Sequence, residues 1–77
     1  MITSKVEIKA PVPGLVARVL VKPGDKVDNG TNVVVLNVMK TEVFVASDAT
    51  GIVEEIKVKE WDEVDIGTPL IILKKEM

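Results

Sequence analysis

Val21-Lys22-Pro23-Gly24-Asp25-Lys26-Val27-Asp28-Asn29-Gly30-Thr31 returns 37 residues later as Val58-Lys59-Glu60-Trp61-Asp62-Glu63-Val64-Asp65-Ile66-Gly67-Thr68. Extending the match outward aligns residues 14–36 with 51–73, and ten of the 23 paired positions are identical. They include Gly14/Gly51, Val16/Val53, Asp25/Asp62, Asp28/Asp65, Gly30/Gly67 and Leu36/Leu73. Other pairs exchange one aliphatic residue for another, as Val19/Ile56 and Val34/Ile71 do. Each half is too short to bury its own apolar face. The two are expected to interlock about a pseudo-two-fold axis, as halves of roughly 4–40 and 41–77 within one domain spanning 1–77.

The local signals are those of strands and turns. Residues 4–8 alternate polar and apolar, with Val6 and Ile8 on one side, the period of a half-buried strand. Pro11 and Pro13, which lack a backbone donor, end its ladder. Residues 15–21 form a β-rich run closed by Lys22-Pro23-Gly24-Asp25. Proline second and glycine third of four is the pattern of a type II turn. Asp28-Asn29-Gly30 is a second turn signal. The unbroken Val33-Val34-Val35-Leu36 predicts a strand buried on both faces, running to Val38. Residues 42–46 run back from it, so Met39-Lys40 falls at the tip of a tight hairpin. Residues 47–51 make a loop, and the second half repeats the first: Ile52, Ile56 and Val58 in a strand, then residues 70–73, with Lys74-Lys75-Glu76 as a solvated end. No apolar pattern at helical spacing persists for three turns. The expected fold is all-β, a flattened barrel or sandwich of two short antiparallel sheets.

Composition narrows the function. A chain of 77 residues buries only roughly 60% of its unfolded surface, so its thin core must be closely packed. It has no histidine and no cysteine, which leaves neither a disulfide nor the usual ligands of zinc. Ten basic and twelve acidic residues, without a basic run, give no footprint for nucleic acid. No apolar run has the length of a membrane span, and the first residues lack the apolar core of a signal peptide. A cytoplasmic, monomeric domain is expected. No nucleophile–base pair marks it as an enzyme in its own right.

Three features remain for function. Lys40 is one of nine lysines, and a lysine at a turn is ordinarily just solvated; this one sits at the seam of the repeat. Trp61, the single tryptophan, stands where the first half has Gly24 and is expected to cap one end of the barrel, with docking of a partner as the alternative. Asp25, Asp62, Asp28 and Asp65 lie at repeat-related turns, where carboxylates ordinarily bond backbone amides rather than a metal.

Ala10-Pro11-Val12-Pro13-Gly14, Val21-Lys22-Pro23-Gly24-Asp25-Lys26-Val27, Gly30 and Val38-Met39-Lys40-Thr41-Glu42 together resemble the biotinyl/lipoyl carrier domains, over roughly residues 4–73. The resemblance implies the interlocked barrel and a hairpin-tip lysine that carries its cofactor through an amide. Biotinyl domains usually flank that lysine with methionines and follow them with glutamate; lipoyl domains usually have aspartate before it and alanine after. Met39 and Glu42 match the biotin pattern, whereas Thr41 replaces the second methionine and Val38 the usual alanine.

The resemblance thus implies biotin on Lys40, with Met39, Thr41 and Glu42 as flanking residues read by a biotin protein ligase. It also implies a carrier role between biotin carboxylase or decarboxylase and carboxyltransferase partners. A lipoyl carrier of an acyl-transfer complex and an unmodified structural barrel are the alternatives. Met39 speaks against the first and Lys40 against the second.

Overall fold

The computed structural model describes residues 3–76, and among them there is no helix. Eight strands follow in order: β1 (Thr3–Lys9), β2 (Gly14–Val19), β3 (Lys26–Val27), β4 (Asn32–Val38), β5 (Thr41–Ala46), β6 (Gly51–Ile56), β7 (Glu63–Val64) and β8 (Pro69–Glu76). They form two antiparallel four-stranded sheets, ordered β1-β8-β6-β3 and β5-β4-β2-β7. Exchanging β1 with β5, β2 with β6, β3 with β7 and β4 with β8 turns one order into the other. Each sheet therefore takes two strands from each repeat, and neither half closes without the other.

The repeat extends to individual hydrogen bonds. Ala10 N–H donates to Thr68 O at 2.9 Å, and its counterpart Ser47 N–H donates to Thr31 O at 2.8 Å. Val16 N–H reaches Asp62 O at 2.9 Å, and Val53 N–H reaches Asp25 O at 2.8 Å. These cross-bonds satisfy backbone groups that the short strands leave outside their ladders.

The core lies between the sheets. Val16, Val33, Leu36, Val53, Leu70, Ile71 and Leu73 are all buried, together with Ile8 and Ala10. As expected, all four residues of Val33-Val34-Val35-Leu36 are fully buried. Packing on this scale replaces the staple that a cysteine-free chain lacks.

The turns follow the repeat as well. Asp25 N–H donates to Lys22 O at 3.1 Å and Gly24 has φ +95°, which is the type II turn expected there. The Asp25 carboxylate accepts the Lys22 amide, and Asp62 accepts the Lys59 amide, each at 3.0 Å. Asp65 accepts from the Ile66 amide. The amides of Asp28 and Asp65 donate in turn to the Thr31 and Thr68 hydroxyls, at 3.0 and 2.9 Å. Turn geometry thus occupies three of the four carboxylates.

Three expectations need correction. The closing strand does not stop at Leu73: β8 continues through Lys74, whose side chain is exposed, to Glu76 and pairs with β1, Thr3 facing Glu76 and Lys5 facing Lys74. The pairing partner, not the polarity of the segment, decides strand length there. β2 and β6 stop at Val19 and Ile56, two residues short of the predicted ends, because the type II turns begin to pull the chain away.

Trp61 does not cap the barrel. Its side chain is 73% exposed, over an open hollow walled by Val19, Val21, Ile56 and Val58. It occupies the turn position where Gly24 sits in the first half, with φ +76°. A bulky residue in that left-handed region is strained. Trp61→Gly is therefore expected to stabilise the fold by about 0.5–1 kcal/mol, the relieved strain outweighing the added chain entropy. An increased urea midpoint at unchanged m-value is the measurement.

Candidate functional site

Val38, the last residue of β4, pairs with Thr41, the first of β5, so the hairpin loop is Met39-Lys40 alone. Both loop residues have positive φ, +49° for Met39 and +68° for Lys40. Two left-handed residues in a two-residue loop make a type I′ turn, whose twist matches that of the strands. Such turns favour asparagine and glycine. Here neither position has glycine, so the conformation is held by the strands beneath it. Six residue pairs join β4 to β5, and β4 is anchored in the core through Val33, Val34 and Leu36.

The strands thus carry Lys40 outward on a rigid support. Lys40 is exposed, and none of the ion pairs among the described residues includes it. Its backbone amide donates to Asn37 Oδ1 at 3.2 Å. Met39 is 92% exposed and so fills no gap in the core. Thr41 and Glu42 are exposed as well. Glu42 stands opposite Asn37 and turns toward Arg18, whose Nη2 is 3.8 Å from Glu42 Oε2. The structure therefore brings Met39, Lys40 and Thr41 together at the apex and sets Glu42 one pair lower. Asn37 was missed in the sequence reading. Its signal was legible: a short amide side chain just before a two-residue loop, able to accept from the loop backbone.

An open hollow of about 520 Å³ lies against the apex, walled by Pro13, Gly14, Leu15, Val38 and Glu63. Gly14 belongs there because a Cβ would come within 2.8 Å of Asn37 O and 2.9 Å of Val38 Cγ2. Its counterpart Gly51 is equally confined, 2.9 Å from Lys74 O. Close approach of strands, not a special dihedral, explains this repeated glycine. Gly14→Ala is expected to push β2 away from the root of the hairpin and cost about 1–3 kcal/mol, read as a lower urea midpoint.

Electrostatics elsewhere are unremarkable for an exposed β surface. The Lys5 ammonium is held above its ordinary value. The cause is the hydrogen bond to Glu54 and its charge, with Nζ 2.9 Å from Oε2. This pair is solvent-exposed, across sheet β1-β8-β6-β3 from β1 to β6, and such pairs contribute little. No group of three or more metal-ligating side chains converges among the described residues.

Comparison with known proteins agrees with this geometry. The barrel superposes on part of a single-chain, multi-domain long-chain acyl-CoA carboxylase with a TM-score of 0.86 at 24% identity, covering 94% of this chain and 7% of that one. It superposes on part of the urea carboxylase of Kluyveromyces lactis with a TM-score of 0.85 at 26% identity, covering 91% of this chain and 6% of that one. The chain thus corresponds to a small part of each of those proteins. No curated protein sequence matches it. The family model described as "Biotin-requiring enzyme" matches residues 6–73, from within β1 to within β8. With both repeats inside that match and an exposed lysine at the hairpin apex, the chain belongs to the Biotin_lipoyl family.

Proposed function

We propose that the chain is a biotin carboxyl carrier domain, with biotin joined by an amide to Lys40 Nζ. The observation that supports this reading best is the presentation of Lys40: an exposed amine, outside the ion pairs of the described residues, at the apex of a two-residue hairpin in a chain of this family. The residues present fit the cofactor. A covalent tether needs a reachable amine on a fixed support rather than an enclosed pocket, and the apex provides both. Met39 before the lysine and Glu42 after it favour biotin over lipoate.

Attachment uses a biotin protein ligase that supplies biotinyl-adenylate. The Nζ–carbonyl bond forms, the bond to AMP breaks, and the amine gives up its proton. No carboxylate among the described residues pairs with Lys40 to act as a base, so the ligase handles that proton. Once attached, biotin supplies a ring nitrogen that carries CO₂ between a biotin carboxylase or decarboxylase and a carboxyltransferase. The chain's own contribution is position. The hairpin keeps the arm projecting away from the core, and the tether keeps its local concentration high at each partner's active site. The exposed Met39 and Thr41 beside Lys40 are the side chains a ligase meets first.

The test is the intact mass of the protein after incubation with biotin ligase, ATP and biotin, and separately with lipoate ligase and lipoate. A biotin-sized increment with the first system supports the proposal. A lipoyl-sized increment with only the second makes this a lipoyl carrier. No increment with either, while control carriers are modified, makes it an unmodified structural barrel.

A further inference from the structure

We propose that Asn37 is a positioning residue for the modification of Lys40, acting through the turn that holds the lysine. This rests on the reading that Lys40 is the acylated residue. The Lys40 amide belongs to the second loop position of the hairpin and has no place in the β4–β5 ladder, which closes at Val38 and Thr41. The partner it has is Asn37 Oδ1, at 3.2 Å.

That bond acts where the turn is least secure. Met39 and Lys40 both lie in the left-handed region without being glycine or asparagine. Their own preferences therefore favour leaving the type I′ geometry. Rotation of either residue out of this region redirects the Cα–Cβ bond of Lys40, and with it the direction in which Nζ leaves the barrel. In the present geometry the Lys40 amide donates to Asn37 Oδ1, and the bond therefore favours this turn over its alternatives.

The repeat supports a role for Asn37 beyond building the barrel. Several cross-bonds and turn bonds recur in both halves, including Lys22 with Asp25 and Lys59 with Asp62. The counterpart of Asn37 is Lys74, which offers no side-chain acceptor. Asn37 itself is exposed, so its side chain contributes nothing to the packed core. The equivalent place in the other half lies within β8 and forms no hairpin, so among the described residues this bond to a loop amide belongs to the Met39-Lys40 turn and not to the framework that the halves share.

The test compares wild type, Asn37→Ala and Asn37→Asp, with Val43→Ala as a control that loosens the hairpin without touching the turn. Two quantities are measured: amide hydrogen exchange at Lys40, and kcat/KM for biotin transfer by the ligase. Asn37→Ala is expected to speed exchange at Lys40 and lower kcat/KM about three- to tenfold, the scale of one hydrogen bond. Asn37→Asp, which keeps an acceptor, is expected to restore both toward wild type, while Val43→Ala leaves kcat/KM within about twofold under folding conditions. Unchanged kcat/KM in Asn37→Ala overturns the proposal. So does a loss that aspartate does not recover, or an equal loss in Val43→Ala. A wild-type protein that no biotin ligase modifies removes the carrier reading and this acylation role together. Faster Lys40 exchange in Asn37→Ala would then still show that Asn37 holds the turn, separating the two failures.

Discussion

Lys40→Arg is expected to abolish incorporation of biotin while leaving the barrel folded. Arginine keeps the positive charge and the length of the side chain, but its guanidinium is delocalised, permanently protonated and not a nucleophile toward an acyl-adenylate. The backbone consequence is small, because an exposed substitution of one long cation for another changes stability by no more than about 0.5 kcal/mol. None of the other eight lysines substitutes for Lys40. Lys5, Lys9, Lys74 and Lys75 lie within β1 and β8, Lys26 lies in β3, and Lys22 and Lys59 open type II turns. Lys57 follows β6, with Nζ 3.4 Å from Glu55. None stands at the apex of a two-residue hairpin. Intact mass before and after ligase treatment decides the matter: an increment that persists at full extent in the variant would show that the site is elsewhere.

Leu36→Ala and Leu73→Ala are each expected to destabilise the protein by about 3 kcal/mol, and by nearly equal amounts. The two leucines are repeat counterparts, one on β4 and one on β8, and both are fully buried in the same core. Truncation removes three carbons from each and leaves a cavity that the tightly paired strands have little freedom to close. For a domain of this size, a loss of that order lowers Tm by roughly 10–20 °C. It also consumes much of the total stability of a small domain, so expression at elevated temperature should suffer. Thermal and urea unfolding of both variants measure it. A large loss at Leu36 with almost none at Leu73 would mean that the two sheets do not share the core equally, contrary to the interlocked arrangement.

Much of this molecule was legible before its fold was seen, because the decisive signals are local or repeated. Gly24 at the third place of a Pro-Gly turn, the unbroken aliphatic run of β4 and the return of that run 37 residues later as Leu70-Ile71-Ile72-Leu73 needed no knowledge of contacts. Lys40 was placed at the apex by the same reasoning, since two β-rich runs separated by so little chain leave no other arrangement. What could not be read was anything set by a partner distant in sequence. Lys74 and Lys75 look like a tail beyond the last strand until β1 is found beside them, and the two-residue strands β3 and β7 exist only through Gly51 and Gly14 across from them.

Trp61 shows the limit most plainly. A lone tryptophan in a small chain reads as core because burial of a large aromatic is so favourable. Its turn position, inherited from the repeat, instead fixes the backbone at positive φ and directs the side chain outward. By itself the sequence determined the all-β class, the two-fold repeat and the lysine at the seam, since these follow from periodicity and turn chemistry within a few residues. Only the tertiary structure decided how the sheets exchange strands and why Gly14 and Gly51 tolerate no side chain. Those depend on distances between segments far apart in the chain, which packing sets and local preference does not.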